Sequence, residues 1–199
     1  MDAILNFIIV IDSHLMYFFN DTLHNPVFNL IMPIFDYDEI WRIPLIAAWL
    51  GVMIFGKRRA RIVGLGALVL IMMTDPISAA VLKPLFDRIR PCNVLPGINM
   101  WHEGVWIVIP DPILQIYKNS PSLPSSHATN TFAQGLWWGW AYPKAKWYCY
   151  GTAFIIGYSR IYDGVHFPGD VLFGWIVGGV CFLLIWYLGN RFIPEIRPS

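Results

Sequence analysis

Long apolar runs separated by short polar stretches dominate this chain, and their lengths are the first guide to its fold. A helix needs roughly 17 to 25 mostly apolar residues to cross a bilayer, and residues 171–189 form such a run without a charge. Residues 62–81 form a second, interrupted only by Asp75 and Pro76, and residues 43–55 supply the apolar centre of a third that draws on its N-terminal flank. Two shorter runs, 128–142 and 147–159, carry Trp and Tyr at one or both ends, as helices anchored at a membrane interface do. Residues 3–19 are apolar enough to insert but hold Asn6, Asp12, Ser13 and His14, so they either span or lie in the interface. The pattern predicts a single all-α domain over residues 1–199, a polytopic transmembrane helical bundle.

Composition supports this reading, with 56% hydrophobic and 14% charged residues where an ordinary soluble domain has about 25% charged. A net charge of +1 without a basic stripe excludes a nucleic-acid binder. Cys92, Cys149 and Cys181 are widely spaced, suggesting neither a disulfide framework nor a zinc site, and are read as packing residues. The start Met1-Asp2-Ala3 lacks a basic stretch and a small-residue cleavage site, so the first apolar segment is expected to remain in the mature protein.

Lys and Arg favour cytoplasmic loops. Lys57, Arg58, Arg59 and Arg61, then Lys144 and Lys146, then Arg191 and Arg197 all fall on one side if the five later segments cross in alternation. Among the remaining cations, Lys83, Arg88, Arg90 and Arg160 sit beside span ends on the opposite face, where that rule does not want them. The same face receives the connection 92–123, long enough to be a functional lid or a surface segment resting on the interface.

Three stretches on this face hold groups that are costly near a bilayer unless paired: residues 83–91 with Lys83 and Arg90, residues 124–127 with Ser125, Ser126 and His127, and residues 159–170 with Arg160, His166 and Asp170. Phosphoryl transfer needs cations around the equatorial oxygens, a nucleophile in line and an acid for the leaving oxygen. Lys83, Arg90 and Arg160 supply the charge. Ser125 and Ser126 stand where the helix of 128–142 begins, so a cap hydroxyl and free backbone amides face the same space. Only one histidine can be the nucleophile. Pro168 and Gly169 break the chain before the last span, making Asp170 an expected N-cap able to orient the His166 ring. That favours His166 as nucleophile, Asp170 as its partner and His127 as acid.

These stretches resemble the signature of the type 2 phosphatidic acid phosphatases: Lys, six residues, Arg-Pro; Pro-Ser-Gly-His; then Ser-Arg, five residues, His, three residues, Asp. Lys83, Arg90 and Pro91 match the first element, Pro124, Ser125 and His127 the second, and Ser159, Arg160, His166 and Asp170 the third. Ser126 replaces the usual glycine, adding a side chain where that family offers a bare amide to the phosphate. The resemblance implies a bundle usually of six spans, and metal-independent, cofactor-free dephosphorylation through phosphohistidine. It also implies a phosphorylated lipid of the bilayer as partner, with lipid A 1-phosphate, undecaprenyl diphosphate and phosphatidylglycerol phosphate as candidates. The expected location is a bacterial inner membrane, with the site facing the periplasm.

Other polar residues have plainer readings. His14, His24 and His102 are interfacial or packing residues, and Trp137, Trp138 and Trp140 pack or face lipid. Asp75 is either a functional group or part of a polar kink with Thr74 and Pro76, and Arg88 touches either substrate or solvent and lipid phosphate. Asp87 and Asp163 can pair with nearby cations. Two other functions compete: an anion transporter or channel without hydrolysis, disfavoured because the charges gather at one face, and a haloperoxidase, which shares the motifs by resemblance but is soluble.

Overall fold

The computed structural model describes residues 2–113 and 115–193. Every apolar run is helical. Helix α1 covers Asp2–Tyr17 and runs into a wide π-helical segment, Phe18–Thr22; α2, Pro26–Ile31, follows, capped by the Asn25 side chain, which accepts from the amides of Val27 and Phe28. Helix α3 spans Asp38–Phe55, and α4 spans Arg58–Pro76. The chain does not stop at Asp75-Pro76: a π-helical segment, Ile77–Leu82, carries it into α5, Lys83–Phe86. A wide turn suits this point, because proline lacks the N–H that an α-helix would use there. The bundle is completed by α6, Ser126–Ala141, α7, Lys146–Tyr162, and α8, Pro168–Phe192.

By length and hydropathy, two segments among the described residues are long and apolar enough to cross a membrane, Arg58–Asn93 and Pro168–Phe192. Six spans are not reached on that measure. Helices α1 and α6 have 16 residues each and α7 has 17, about 24 Å of helix against a hydrocarbon core of about 30 Å. Helix α3 has 18 residues but begins with Asp38, Glu39 and Arg42.

Helix α6 is the central post, packed against α4, α7 and α8. Its face toward α8 meets glycines. A Cβ on Gly174 would lie 2.8 Å from the Ser125 carbonyl oxygen, and one on Gly178 would lie 2.4 Å from that of Thr129. These are backbone oxygens and cannot swing aside. Gly178→Ala is therefore expected to force α8 outward and to cost about 1–3 kcal/mol, read as a lower melting temperature in detergent; an unchanged melting temperature would show that the helices are not in such close contact.

Large apolar side chains project outward from the helices, including Ile43, Leu45, Ile54 and Phe55 on α3, Met72 on α4, and Leu172, Ile176 and Val180 on α8. The fully buried set, by contrast, includes Asn20, Thr74, Ser78, Ser122, Ser125, Asp163 and Asp170. A water-soluble domain rarely exposes so extensive an apolar surface; the arrangement suits a protein embedded in lipid. One apolar cluster (Val63, Ala67, Leu70, Ala133, Trp137, Ala141, Cys181) fills one half of the bundle, with Trp137 Nε1 donating to the Val63 carbonyl at 3.0 Å. Another (Met16, Cys92, Ile98, Met100, Ala128, Val165, Phe167) seals the other half. All three cysteines are free thiols, two of them buried.

The all-α expectation needs one correction. The connection 92–123 folds a two-stranded antiparallel hairpin, β1 Asn99–His102 and β2 Val105–Val108, turned at Glu103 and Gly104, both at positive φ. Alternating large side chains around a Glu-Gly turn make a local ladder, a pattern that segment-scale hydropathy does not register. The hairpin is tied down. Asn20 is fully buried and its Nδ2 donates to the carbonyls of Asn99 and Tyr162 at 2.8 and 2.7 Å; Asn99 N donates back to Asn20 Oδ1. Gly164, at φ 78°, lets the α7–α8 turn approach the Asn99 carbonyl, 2.4 Å from where a Cβ would stand.

The bundle has two chemically distinct ends. Arg59 Nη2 donates to the Ala141 carbonyl at 2.6 Å and its guanidinium lies over the Tyr142 ring, joining the α3–α4 turn to the α6–α7 turn. Lys144, Lys146 and Arg191 belong to this end by chain direction, while Arg197 lies outside the described residues. At the other end α5 finishes, α6 begins, α7 finishes and α8 begins.

Candidate active site

Each of the three stretches is delivered to that second end by a helix terminus. Lys83 starts α5, Ser126 and His127 start α6, Arg160 lies in the last turn of α7, and His166 stands in the short turn before α8, outside the helices. Together with Asp36, Arg90, Tyr117 and Val165 they line one cavity of about 230 Å³. A larger cavity of about 350 Å³ opens on the other side of Arg90 and Tyr117, among Arg88, Gln115, Lys118 and Asn119, but it holds neither histidine.

The His166 ring is buried. Burial pushes its pKa down to about 3, against the opposing pull of Asp170 and with a further downward push from Arg90, so the imidazole is neutral at neutral pH. Its neighbours determine which nitrogen carries the proton. Arg90 Nη1, a donor, stands 3.3 Å from Nε2, so Nε2 presents a lone pair. On the other side, Ser122 Oγ donates to Asp170 Oδ2 and offers its own lone pair to Nδ1 at 3.3 Å. These partners assign the proton to Nδ1 and leave Nε2 bare of a proton, its lone pair accepting from Arg90.

Asp170 is not the N-cap. Phe167 takes that position, and Asp170, three residues into α8, reaches back to accept the Phe167 amide at 2.9 Å. Pro168 at the first helical position has no N–H to satisfy, so the cap falls three residues before Asp170. Its distance to His166 Nδ1 is 3.6 Å, so orientation of the ring is shared with Ser122. Ser125, expected at the phosphate, is fully buried and outside the cavity lining; it is the N-cap of α6, with Oγ accepting the Ala128 amide at 3.4 Å. Ser126 does line the cavity, and its hydroxyl receives a hydrogen bond from Ser78 Oγ at 3.0 Å.

The three cations are held in different ways. Arg90 donates from Nε and Nη2 to the carbonyl and hydroxyl of Ser120 and from Nη1 to the Val165 carbonyl, with its guanidinium over the Tyr117 ring. Arg160, 3% exposed, is clasped by two carboxylates: Nη1 by Asp36 at 2.6 Å and Nη2 by Asp163 at 2.8 Å. Lys83 stands on the same wall.

Several residues in this network escaped the sequence reading. Arg88, partly exposed, bridges Asp170 Oδ1 at 2.7 Å and Asp12 Oδ2 at 2.6 Å and is not among the residues lining the cavity that holds the histidines. Asp12 in turn accepts the Gly169 amide at 2.8 Å, so α1 buttresses the start of α8. An acidic residue inside an apolar run was a signal for Asp12, and Arg88 lies within the first motif stretch; Ser120, Ser122 and Asp36 carried none. Asp75 accepts from Asn130 Nδ2 at 3.0 Å, a structural pairing across α4 and α6. His24 stacks on Tyr162 and meets Trp106 edge-on, and His14 bonds the Val10 carbonyl, so both are packing residues away from the cavity. Among the described residues, no group of three or more His, Cys, Asp or Glu side chains converges as a metal site would.

Comparison with known proteins sets this geometry in context. The family model for the PAP2 superfamily matches residues 64–194. A lipid A 4'-phosphatase of Bacteroides thetaiotaomicron is 27% identical over 200 residues, covering 98% of this chain and 84% of the relative. Among solved structures, Aquifex aeolicus LpxE superposes with a TM-score of 0.67 at 24% identity, covering 87% of this chain and 93% of its own. A transmembrane PAP2-type phosphatidylglycerolphosphate phosphatase from Bacillus subtilis gives 0.66 at 23% identity, covering 94% and 88%.

Proposed function

The chain belongs to the PAP2 superfamily, and from that premise we propose that it is a membrane lipid phosphatase working through a phosphohistidine on His166. The observation that carries the reading is the neutral His166 ring, with Nε2 bare, in a cavity that also holds Lys83, Arg90, Arg160 and His127. Nε2 attacks phosphorus, forming a P–N bond as the P–O bond to the lipid breaks, and His127 gives its proton to the departing oxygen. The imidazole becomes cationic as it is phosphorylated, and Asp170 with Ser122 stabilises the Nδ1–H. Water, deprotonated by His127, then attacks phosphorus, breaks the P–N bond and frees inorganic phosphate with His166 neutral again. Lys83, Arg90 and Arg160 neutralise the equatorial oxygens in both steps, helped by the amides at the start of α6.

A lipid substrate is favoured because the cavity lies at one end of a bundle whose outer faces are apolar. Such a site takes the phosphate while the acyl chains remain beside α3, α4 and α8. Lipid A phosphate, undecaprenyl diphosphate and phosphatidylglycerol phosphate are the candidates, with lipid A first because the Bacteroides relative, matched over nearly the whole chain, is named for it. Basic residues at the opposite end support a site facing the periplasm in a bacterial inner membrane.

The test is phosphate release by the purified protein in detergent, across a panel of these lipids with a soluble sugar phosphate included. Turnover of at least one lipid, well above that of the sugar phosphate and persisting through prolonged chelation, is the expected result. Hydrolysis confined to the soluble ester, or loss on chelation restored by a divalent ion, would overturn the reading.

A further inference from the structure

Every guanidinium nitrogen of Arg160 is already engaged: Nε with Ser159 Oγ at 3.4 Å, Nη1 with Asp36 and Nη2 with Asp163. Three of its five N–H donors are used, and a phosphate that approaches the other two meets the carboxylates beside them. One of its partners must leave or tolerate a neighbouring dianion, and the two carboxylates differ in their freedom to do so. Asp163 is three residues from Arg160, at the end of the same helix, and its side chain is 1% exposed. Asp36 comes from the distant junction between the 3-10 turn Met32–Phe35 and α3, is 31% exposed, and is the only carboxylate lining the cavity among the described residues.

We infer that Asp36 is a displaceable stand-in for phosphate: it occupies the outer edge of Arg160 while the cavity is empty, yields to the incoming phosphoryl group, and returns to help expel the inorganic phosphate product. The inference rests on the phosphatase reading and adds a residue to it that lies outside the three motif stretches. The chemistry is competition between anions for one guanidinium edge. An ion pair at 2.6 Å with a nearly buried arginine satisfies Arg160 without substrate and lowers its affinity for any anion. Lipid substrate offsets this loss with its apolar chains; free phosphate has nothing to offset it with. Asp36 therefore weakens substrate and product binding by a similar factor, and because the product has no chains to hold it, release of the product is what this favours; Asp36 acts as a positioning group without touching the reacting bonds.

Asp36→Asn keeps the shape and removes the charge. Losing one charge-assisted hydrogen bond from the competition is expected to tighten inhibition by inorganic phosphate about tenfold, with a similar fall in KM for lipid and a kcat lowered toward the rate of product release. Asp36→Glu, which keeps the charge, should retain near wild-type inhibition. Phosphate binding is read independently of turnover from the rise in melting temperature of the full-length, detergent-solubilised protein on adding inorganic phosphate; the rise should be larger for Asp36→Asn. Equal phosphate inhibition and equal thermal shift in wild type and Asp36→Asn would overturn the inference while leaving the phosphatase reading intact. Weaker phosphate binding in Asp36→Asn would overturn it too, by showing that Asp36 holds Arg160 in place for the ligand. A wild-type protein that hydrolyses no lipid phosphate would remove the reading beneath it.

Discussion

His166→Ala is expected to lower phosphate release by at least about 10⁴-fold, on the scale seen when the nucleophile of a covalent mechanism is deleted, while the helical content is unchanged. The expectation comes from three features of one side chain. It is buried against loss to solvent, neutral because burial pushes its pKa to about 3, and oriented so that Nε2 is bare and Nδ1 is bound by Ser122 beside Asp170. No other histidine among the described residues combines these. A brief reaction of the wild type with lipid labelled in its phosphate should trap an acid-labile, alkali-stable phosphoprotein that His166→Ala does not form. Full turnover by the alanine variant would sink the mechanism, and label retained by His166→Ala but lost in His127→Ala would exchange the roles of the two histidines.

The second large effect is on stability. Arg88 bridges Asp12 on α1 and Asp170 on α8, at 2.6 and 2.7 Å, and its guanidinium also lies 4.1 Å from the centre of the Phe167 ring. Arg88→Ala would leave two carboxylates, 5% and 0% exposed as residues, without their cation. Breaking a buried ion pair from one side costs about 3–5 kcal/mol; since the Arg88 side chain is 22% exposed, water offsets part of this and a loss near about 3 kcal/mol is expected. Activity should also fall by about 10²-fold, because Asp170 would no longer be held against Ser122 and His166. Adding Asp12→Asn to Arg88→Ala should recover part of the melting temperature by removing one stranded charge. A single Arg88→Ala variant as heat-stable as the wild type would refute the clamp.

Both predictions draw on groups of unequal visibility in the sequence. The motif stretches were legible because their spacing depends on local geometry: Lys83 and Arg90 flank a helix end, and Arg160 at the end of α7 and Asp170 at the start of α8 bracket the short turn that carries His166. Helices α4 and α8 were legible because their apolar runs are long. The hairpin in 92–123 was not, since its four-residue strands are shorter than the windows on which membrane segments are read. Ser122 looked like an ordinary loop serine until the chain folded its hydroxyl onto Asp170. Ser125 was legible as the hydroxyl at a helix start, and the structure adds that its Oγ accepts the Ala128 amide there.

What the sequence by itself determined is the set of helices, their apolar outer faces and the grouping of cations and histidines at one end, because apolar length and short-range spacing encode these directly. What only the tertiary structure decided is which acid meets which base: Asp36 with Arg160, Asp12 with Arg88, Ser122 with Asp170. Those partners lie on separate elements, and their pairing follows from how closely α6 and α8 pack at Gly174 and Gly178 and where the loop of 92–123 comes to rest. Charge alone cannot select among equally charged candidates; distance in the folded chain does.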